Sequence, residues 1–233
     1  MSAKAPIAAV LFDKDGTLFD FHQSWGAWAK SFLDEIATDK PHAQALGEAI
    51  GYDYGAGRFA TDSLVIAGTA GEIAGALALL LPEMTRAEVI AKINQIAAKA
   101  QMVPAVPLFP LLQDLRDKGF RIGLATNDAE DAAHAHLKTH GILELFDFVA
   151  GYDSGHGAKP APGMCEAFAK AMGLAPAQVV MVGDSLHDLH AGRRAGMSCV
   201  AVLTGMAAAE DLSPHADVVL RDIGGLPAWL AQG

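Results

Sequence analysis

Apolar and polar residues follow two rhythms along this chain. Short apolar runs recur at residues 7–12 (IAAVLF), 121–125 (RIGLA), 146–150, 179–182 (VVMV), 199–203 and 218–220. Each has the length of a strand and suits burial on both faces of a parallel sheet. Between them lie segments with helical spacing: 108–118, where Leu111, Leu112 and Leu115 share a face and Gly119 supplies a stop, then 131–140 and 163–172. Strand and helix in alternation predict an α/β fold with a doubly wound parallel sheet.

Residues 19–104 break the rhythm. No strand pattern is convincing there, and the spacing predicts helices over 24–36, 42–50, 63–81 and 85–100. The chain therefore reads as a discontinuous α/β core, residues 1–18 and 105–233, with an inserted helical cap domain over 19–104. The proline-rich MVPAVPLFP of 102–110 reads as a stiff hinge. Residues 64–81 are almost wholly apolar, with Glu72 their only charge. They are rich in Gly and Ala, end at Pro82 and lack a basic flank, so a buried cap helix or a subunit interface is the better account than a membrane span.

Polar residues cluster where the apolar runs stop. Asp13, Asp15 and Gly16 end the first run, Thr126 and Asn127 the run at 121–125, and Gly183, Asp184 and Ser185 the run at 179–182, with Asp188 shortly after. Lys159 sits in the loop GYDSGHGAKPAPG. In open α/β sheets ligands bind at the carboxyl edge of the strands, so these side chains converge if the runs are neighbours. Together they supply a carboxylate nucleophile, a second acid and base, metal ligands, a hydroxyl donor and a fixed cation, which is what phosphoryl transfer needs. Taken singly, each has a plainer reading: an acidic turn closing a strand, or a solvated loop lysine.

Composition bounds the partners. With 52% hydrophobic and 19% charged residues among 233, the chain can bury a sizeable core. A formal charge of −10 argues against nucleic acid and anionic membranes as partners, and it requires that an anionic substrate meet locally concentrated positive charge. Cys165 and Cys199 have no metal-ligand spacing, so they read as small apolar residues in a reducing cytosol. The start, MSAKAP, reads as lacking a signal segment, which with the cysteine usage predicts a cytoplasmic protein.

With the four motifs in view, DKDGTL (13–18), TN (126–127), Lys159 followed by PAP, and GDSLHD (183–188), the chain resembles the haloacid dehalogenase superfamily of phosphohydrolases, in the branch with a helical cap inserted after the first motif and similar to phosphoglycolate phosphatases. The resemblance spans essentially the whole sequence. It implies a Rossmann-like core and Mg²⁺-dependent hydrolysis of a small phosphomonoester, such as phosphoglycolate or a sugar phosphate, by a monomer or homodimer. Lys14 departs from the pattern, which usually has an apolar residue between the two aspartates.

The resemblance also implies roles. Asp13 is the expected nucleophile and Asp15 the acid and base; Thr126 and Lys159 bind and stabilise the phosphoryl group, beside Gly16 and Asn127. Mg²⁺ is expected on Asp13, the Asp15 backbone carbonyl and Asp184, with Asp188 supporting the shell through water or by orienting Lys159. A phosphomutase uses the same aspartates and stays an alternative, ahead of a dehalogenase or a non-catalytic phosphate-binding module. In the cap, His22, Trp25, Trp28 and Arg58 are candidates for substrate contact, Arg58 because its Gly-rich loop YGAGRF lets it reach a second anionic group. His134, His136 and His140 share one helix, the last two at the i, i+4 spacing of metal ligands but without a motif acid, and read as a solvated face; His187 reads as rim.

Overall fold

In a computed structural model the described residues are 6–232. The reading of the amino terminus rests in part on residues 1–5 and lies outside them. Strand β1 (Ala9–Phe12) is wholly buried and pairs in parallel with β4 (Arg121–Ala125) on one side and β6 (Val179–Gly183) on the other. Outward from these lie β5 (Phe148–Ala150), then β7 (Ser198–Val202) and β8 (Val218–Leu220), giving the parallel order β5-β4-β1-β6-β7-β8. The order runs outward in both directions from β1, so a crevice opens at its carboxyl end.

Alternate β1 residues face opposite layers, as a strand's period of two requires. Val10 and Phe12 join one buried cluster with Leu112 and Leu115 of α5 (Leu108–Asp117) and Leu137 of α6 (Glu130–Thr139). Ala9 and Leu11 join another with Phe168 of α7 (Gly163–Met172) and Leu189 of α8 (Leu186–Ala195). Helices on both faces make the sheet doubly wound, as its uninterrupted apolar runs predict. Short helices α9 (Ala209–Leu212) and α10 (Leu226–Leu230) complete the carboxyl-terminal part. Cys165 and Cys199 are free thiols buried in the second cluster, where burial pushes both up to about 12.

Between β1 and α5 stand α1 (Phe21–Ile36), α2 (Lys40–Ala49), α3 (Ala70–Leu77) and α4 (Arg86–Ala97). The outgoing and returning chains lie side by side: Asp20 N donates to Val103 O (2.8 Å) and Ala105 N to Leu18 O (2.9 Å). Two expectations for this segment fail. First, it contains a two-stranded antiparallel hairpin, β2 (Tyr52–Asp53) with β3 (Arg58–Phe59). Packing holds it: buried Tyr52 meets Phe59 with ring centroids 4.8 Å apart and donates its hydroxyl to Gly26 O at 3.0 Å. Second, the helix expected over 63–81 begins only at Ala70, because Thr69 and Glu72 form a capping box there and Ser63 Oγ is turned back onto Ile50 O (2.6 Å). Among the described residues no helix is long and apolar enough to cross a membrane.

The third correction concerns α6. His134 is half-buried, but His136 is only 2% exposed and faces the interior, so the three histidines are not one solvated face.

Candidate active site

The carboxyl ends of β1, β4 and β6 deliver Asp13, Thr126 and Asp184 to one cavity of about 50 Å³, joined by Lys159 from the loop before α7 and Asp188 from α8. Asp13, Lys159, Asp184 and Asp188 are all buried. Lys159 Nζ lies 2.5 Å from Asp13 Oδ1 and 2.6 Å from Asp188 Oδ1, and donates to Ala125 O at 2.8 Å. Burial would lower its pKa, but the charges of Asp13 and Asp188 outweigh it and hold the ammonium protonated well above an ordinary lysine. The other oxygen of Asp188 accepts from Ser185 N (3.0 Å) and Ser185 Oγ (2.7 Å), the capping box that starts α8. One carboxylate thus caps a helix and aims the site's cation.

Oxygens of Asp13, Asp184 and Asp188 approach within 4.8 Å of one another. Burial pushes Asp13 up to about 7 against the pull of Lys159, with Asp188 and Asp15 adding to the rise. Asp184 is raised well above the usual carboxylate range by burial first, then by Asp13 and Asp188. Three buried carboxylates share one ammonium. Hard oxygen donors with two negative charges uncompensated fit a divalent cation that prefers carboxylates and retained water. The backbone is shaped around Asp184: a Cβ on Gly16 (φ +84°) would sit 2.4 Å from Asp184 Oδ2, and one on Gly205 would sit 1.6 Å from the same atom. Glycine is required at both.

Asp15 stands apart from this acidic group. Its carboxylate receives Lys14 Nζ (2.8 Å to Oδ2) and Trp25 Nε1 (2.9 Å to Oδ1). Lys14 is fully buried, bridges to Asp128 Oδ2 (3.0 Å) and meets His136 Nδ1 at 3.1 Å, while His136 Nε2 lies 2.9 Å from Ala97 O. A carbonyl only accepts, so Nε2 carries the proton and Nδ1 accepts from Lys14. Burial and the Lys14 charge push His136 down to about 4, keeping it neutral. The departure at position 14 is therefore the hub of a second buried network, directed at Asp15 rather than at Asp13.

Asn127 lines the cavity, but its amide is committed to backbone. Nδ2 donates to Ala67 O (2.8 Å) and Lys159 O (2.9 Å), and Oδ1 accepts from Lys159 N (2.8 Å). Trp25, Trp28 and His187 line the cavity; His22 and Arg58 do not. Arg58, on the β2–β3 hairpin, is exposed and borders a separate surface hollow with Glu48 and Tyr54. Sequence reasoning missed Asp128, His136, Thr204 and Gly205. Asp128 follows Thr126–Asn127 directly, so its place at the end of the strand was open to detection, though its pairing with Lys14 was not. Thr204, whose Oγ1 donates to Gly16 O at 2.6 Å, carries no sequence signal.

Comparison with known proteins decides the family. Residues 7–196 match the model of the haloacid dehalogenase-like hydrolases. The chain belongs to this family. It is 27% identical over 209 residues to pyrophosphatase PpaX of Bacillus velezensis, covering 90% of this chain and 89% of the relative. It is 29% identical over 219 residues to the validoxylamine A 7'-phosphate phosphatase of Streptomyces hygroscopicus subsp. limoneus, covering 91% and 92%. The solved structure of a predicted phosphoglycolate phosphatase from Haemophilus somnus 129pt superposes with a TM-score of 0.74 at 18% identity, covering 98% and 99%. The enzyme class expected from the motifs, a phosphatase of this hydrolase family, agrees with these matches.

Proposed function

We propose that this haloacid dehalogenase-like hydrolase is a Mg²⁺-dependent phosphatase that cleaves a small phosphomonoester through an aspartyl-phosphate on Asp13. The observation that carries the reading is Asp13 at the end of β1 with Lys159 at 2.5 Å and Asp184 beside it. A carboxylate so placed attacks phosphorus in line, splitting one difficult hydrolysis into two displacements. Lys159 and the Thr126 hydroxyl stabilise the charge gathering on the phosphoryl oxygens; removing one well-placed donor from such a site costs about 3–4 kcal/mol.

Asp15 gives a proton to the departing alkoxide and then takes one from the water that releases phosphate. The neutral carboxyl group is the acid of the first step, and the carboxylate it leaves is the base of the second; Lys14 and Trp25 hold that carboxylate in place. Asp13, Asp184 and the Asp15 carbonyl would hold Mg²⁺, which supplies charge neutralisation for the phosphoryl group when bound. Asp188 orients Lys159. Residues 19–104 act as a cap over the core of 1–18 and 105–233, excluding bulk water during the reaction.

Asp13→Asn tests the reading, since the amide is nearly isosteric and far less nucleophilic. Loss of phosphate release with unchanged circular dichroism is the expected result; full residual turnover in the purified variant overturns the covalent mechanism.

A further inference from the structure

The phosphoryl half of the cavity is crowded with charge, and the opposite half has almost none. The face contributed by residues 19–104 consists mainly of Trp28, Val65, Ile66, Ala70, Ile73 and Ile93. Six lysines and arginines occur in that segment, and among the described residues none lines the cavity. Lys30 is paired with Asp34 (2.7 Å), Lys92 with Glu35 (2.7 Å), Arg86 donates to Gly71 O (2.8 Å), and Arg58 borders the other hollow. Beyond Asp13, Lys159, Asp184 and Asp188, the cavity's charged lining is Asp15 and Asp128, which a second anion would meet as like charges.

The apolar wall is braced by its own aromatic rings. Trp28 stacks on Phe32 (5.3 Å, 6° between planes) and makes an edge contact with Trp25 (4.9 Å, 78°), so its ring is fixed.

We propose that the substrate is a phosphomonoester of a compact, neutral and largely apolar alcohol. This rests on the phosphatase reading above and narrows it. Esters bearing a second anion, phosphoglycolate included, are poor substrates, because a carboxylate would be taken from water into an apolar wall with no cation to receive it.

Isobutyl phosphate and phosphoglycolate have leaving groups with the same branching and heavy-atom count, one neutral and one anionic. With Mg²⁺ present, kcat/KM for isobutyl phosphate is expected to exceed that for phosphoglycolate at least tenfold, although glycolate is the better leaving group. Hydrolysis of p-nitrophenyl phosphate together with equal use of the pair, or a preference for phosphoglycolate, keeps the phosphatase reading and overturns this one. Absence of phosphate release from every ester overturns both.

Discussion

Trp25, on the first helix after β1, donates its indole N–H to Asp15 Oδ1 at 2.9 Å. The bond ties the residue proposed as acid and base to the segment between the two parts of the core, and it shares the carboxylate with Lys14. Trp25→Phe keeps the ring against which Lys14 Nζ rests, 5.3 Å from its centroid, and deletes only the donor. Loss of a hydrogen bond to a charged group is worth about 1.5–3 kcal/mol. We expect kcat to fall by about tenfold or more with KM within about twofold, read by steady-state kinetics. A raised KM with kcat unchanged would assign Trp25 to substrate binding instead.

Lys14→Met leaves Asp15 and Asp128 facing each other across an uncompensated buried site. Breaking a buried pair by removing one partner costs about 3–5 kcal/mol. In a chain of this size each kcal/mol lowers Tm by about 2–4 °C. A fall of roughly 6–20 °C in a thermal melt is the expected outcome, and a change below about 2 °C would show that the hub contributes little.

His136 makes stability fall with acidification in a defined window. Its pKa is pushed from 6.5 to about 4 by burial and by Lys14, so between those values the unfolded chain binds a proton that the folded one refuses. Stability from this group is full above about 6.5 and is lost progressively toward about 4, up to about 3 kcal/mol. Urea denaturation at pH 7 and pH 5 should show a larger loss in the wild type than in His136→Gln, which does not titrate. Equal losses would mean that His136 is not the source.

Metal removal should abolish turnover and Mg²⁺ should restore it. Ca²⁺ is expected to restore little, because its looser and larger coordination shell misaligns in-line attack. Activity that survives exhaustive chelation would assign compensation of the Asp13, Asp184 and Asp188 cluster to Lys159 alone.

Arg58→Ala should leave kcat/KM within about twofold for neutral and anionic phosphate esters alike, since Arg58 borders a hollow separate from the cavity that holds Asp13. A loss confined to anionic esters would place it at the substrate after all.

The core was legible because its signals are local and mutually consistent. Each strand announces itself as an apolar run, and each run stops at the residue the crevice receives, so Asp13, Thr126 and Asp184 were found from their neighbours alone. The segment 19–104 was harder to read for physical reasons. The hairpin at Tyr52 and Phe59 is only two residues a side and is held by ring packing, which leaves no period in the sequence. The Gly- and Ala-rich stretch before Thr69 has helical composition, but the capping box at Thr69 and Glu72 decides where the helix starts. His136 is hard to read because the side chain that meets it in the interior, Lys14, is 122 positions away in sequence. No local window contains that contact.

Asn127 places a single amide group at a crossroads. One N–H reaches the carbonyl of Ala67, the other the carbonyl of Lys159. Any motion that carries residue 67 away from the end of β4 frees half of that amide while the other half keeps its grip on the lysine loop. The spacing of residue 67 from the strand end and the steadiness of the lysine loop are thereby registered at the same nitrogen, which makes this side chain a natural reporter: its NH₂ resonances should register any separation of the two segments.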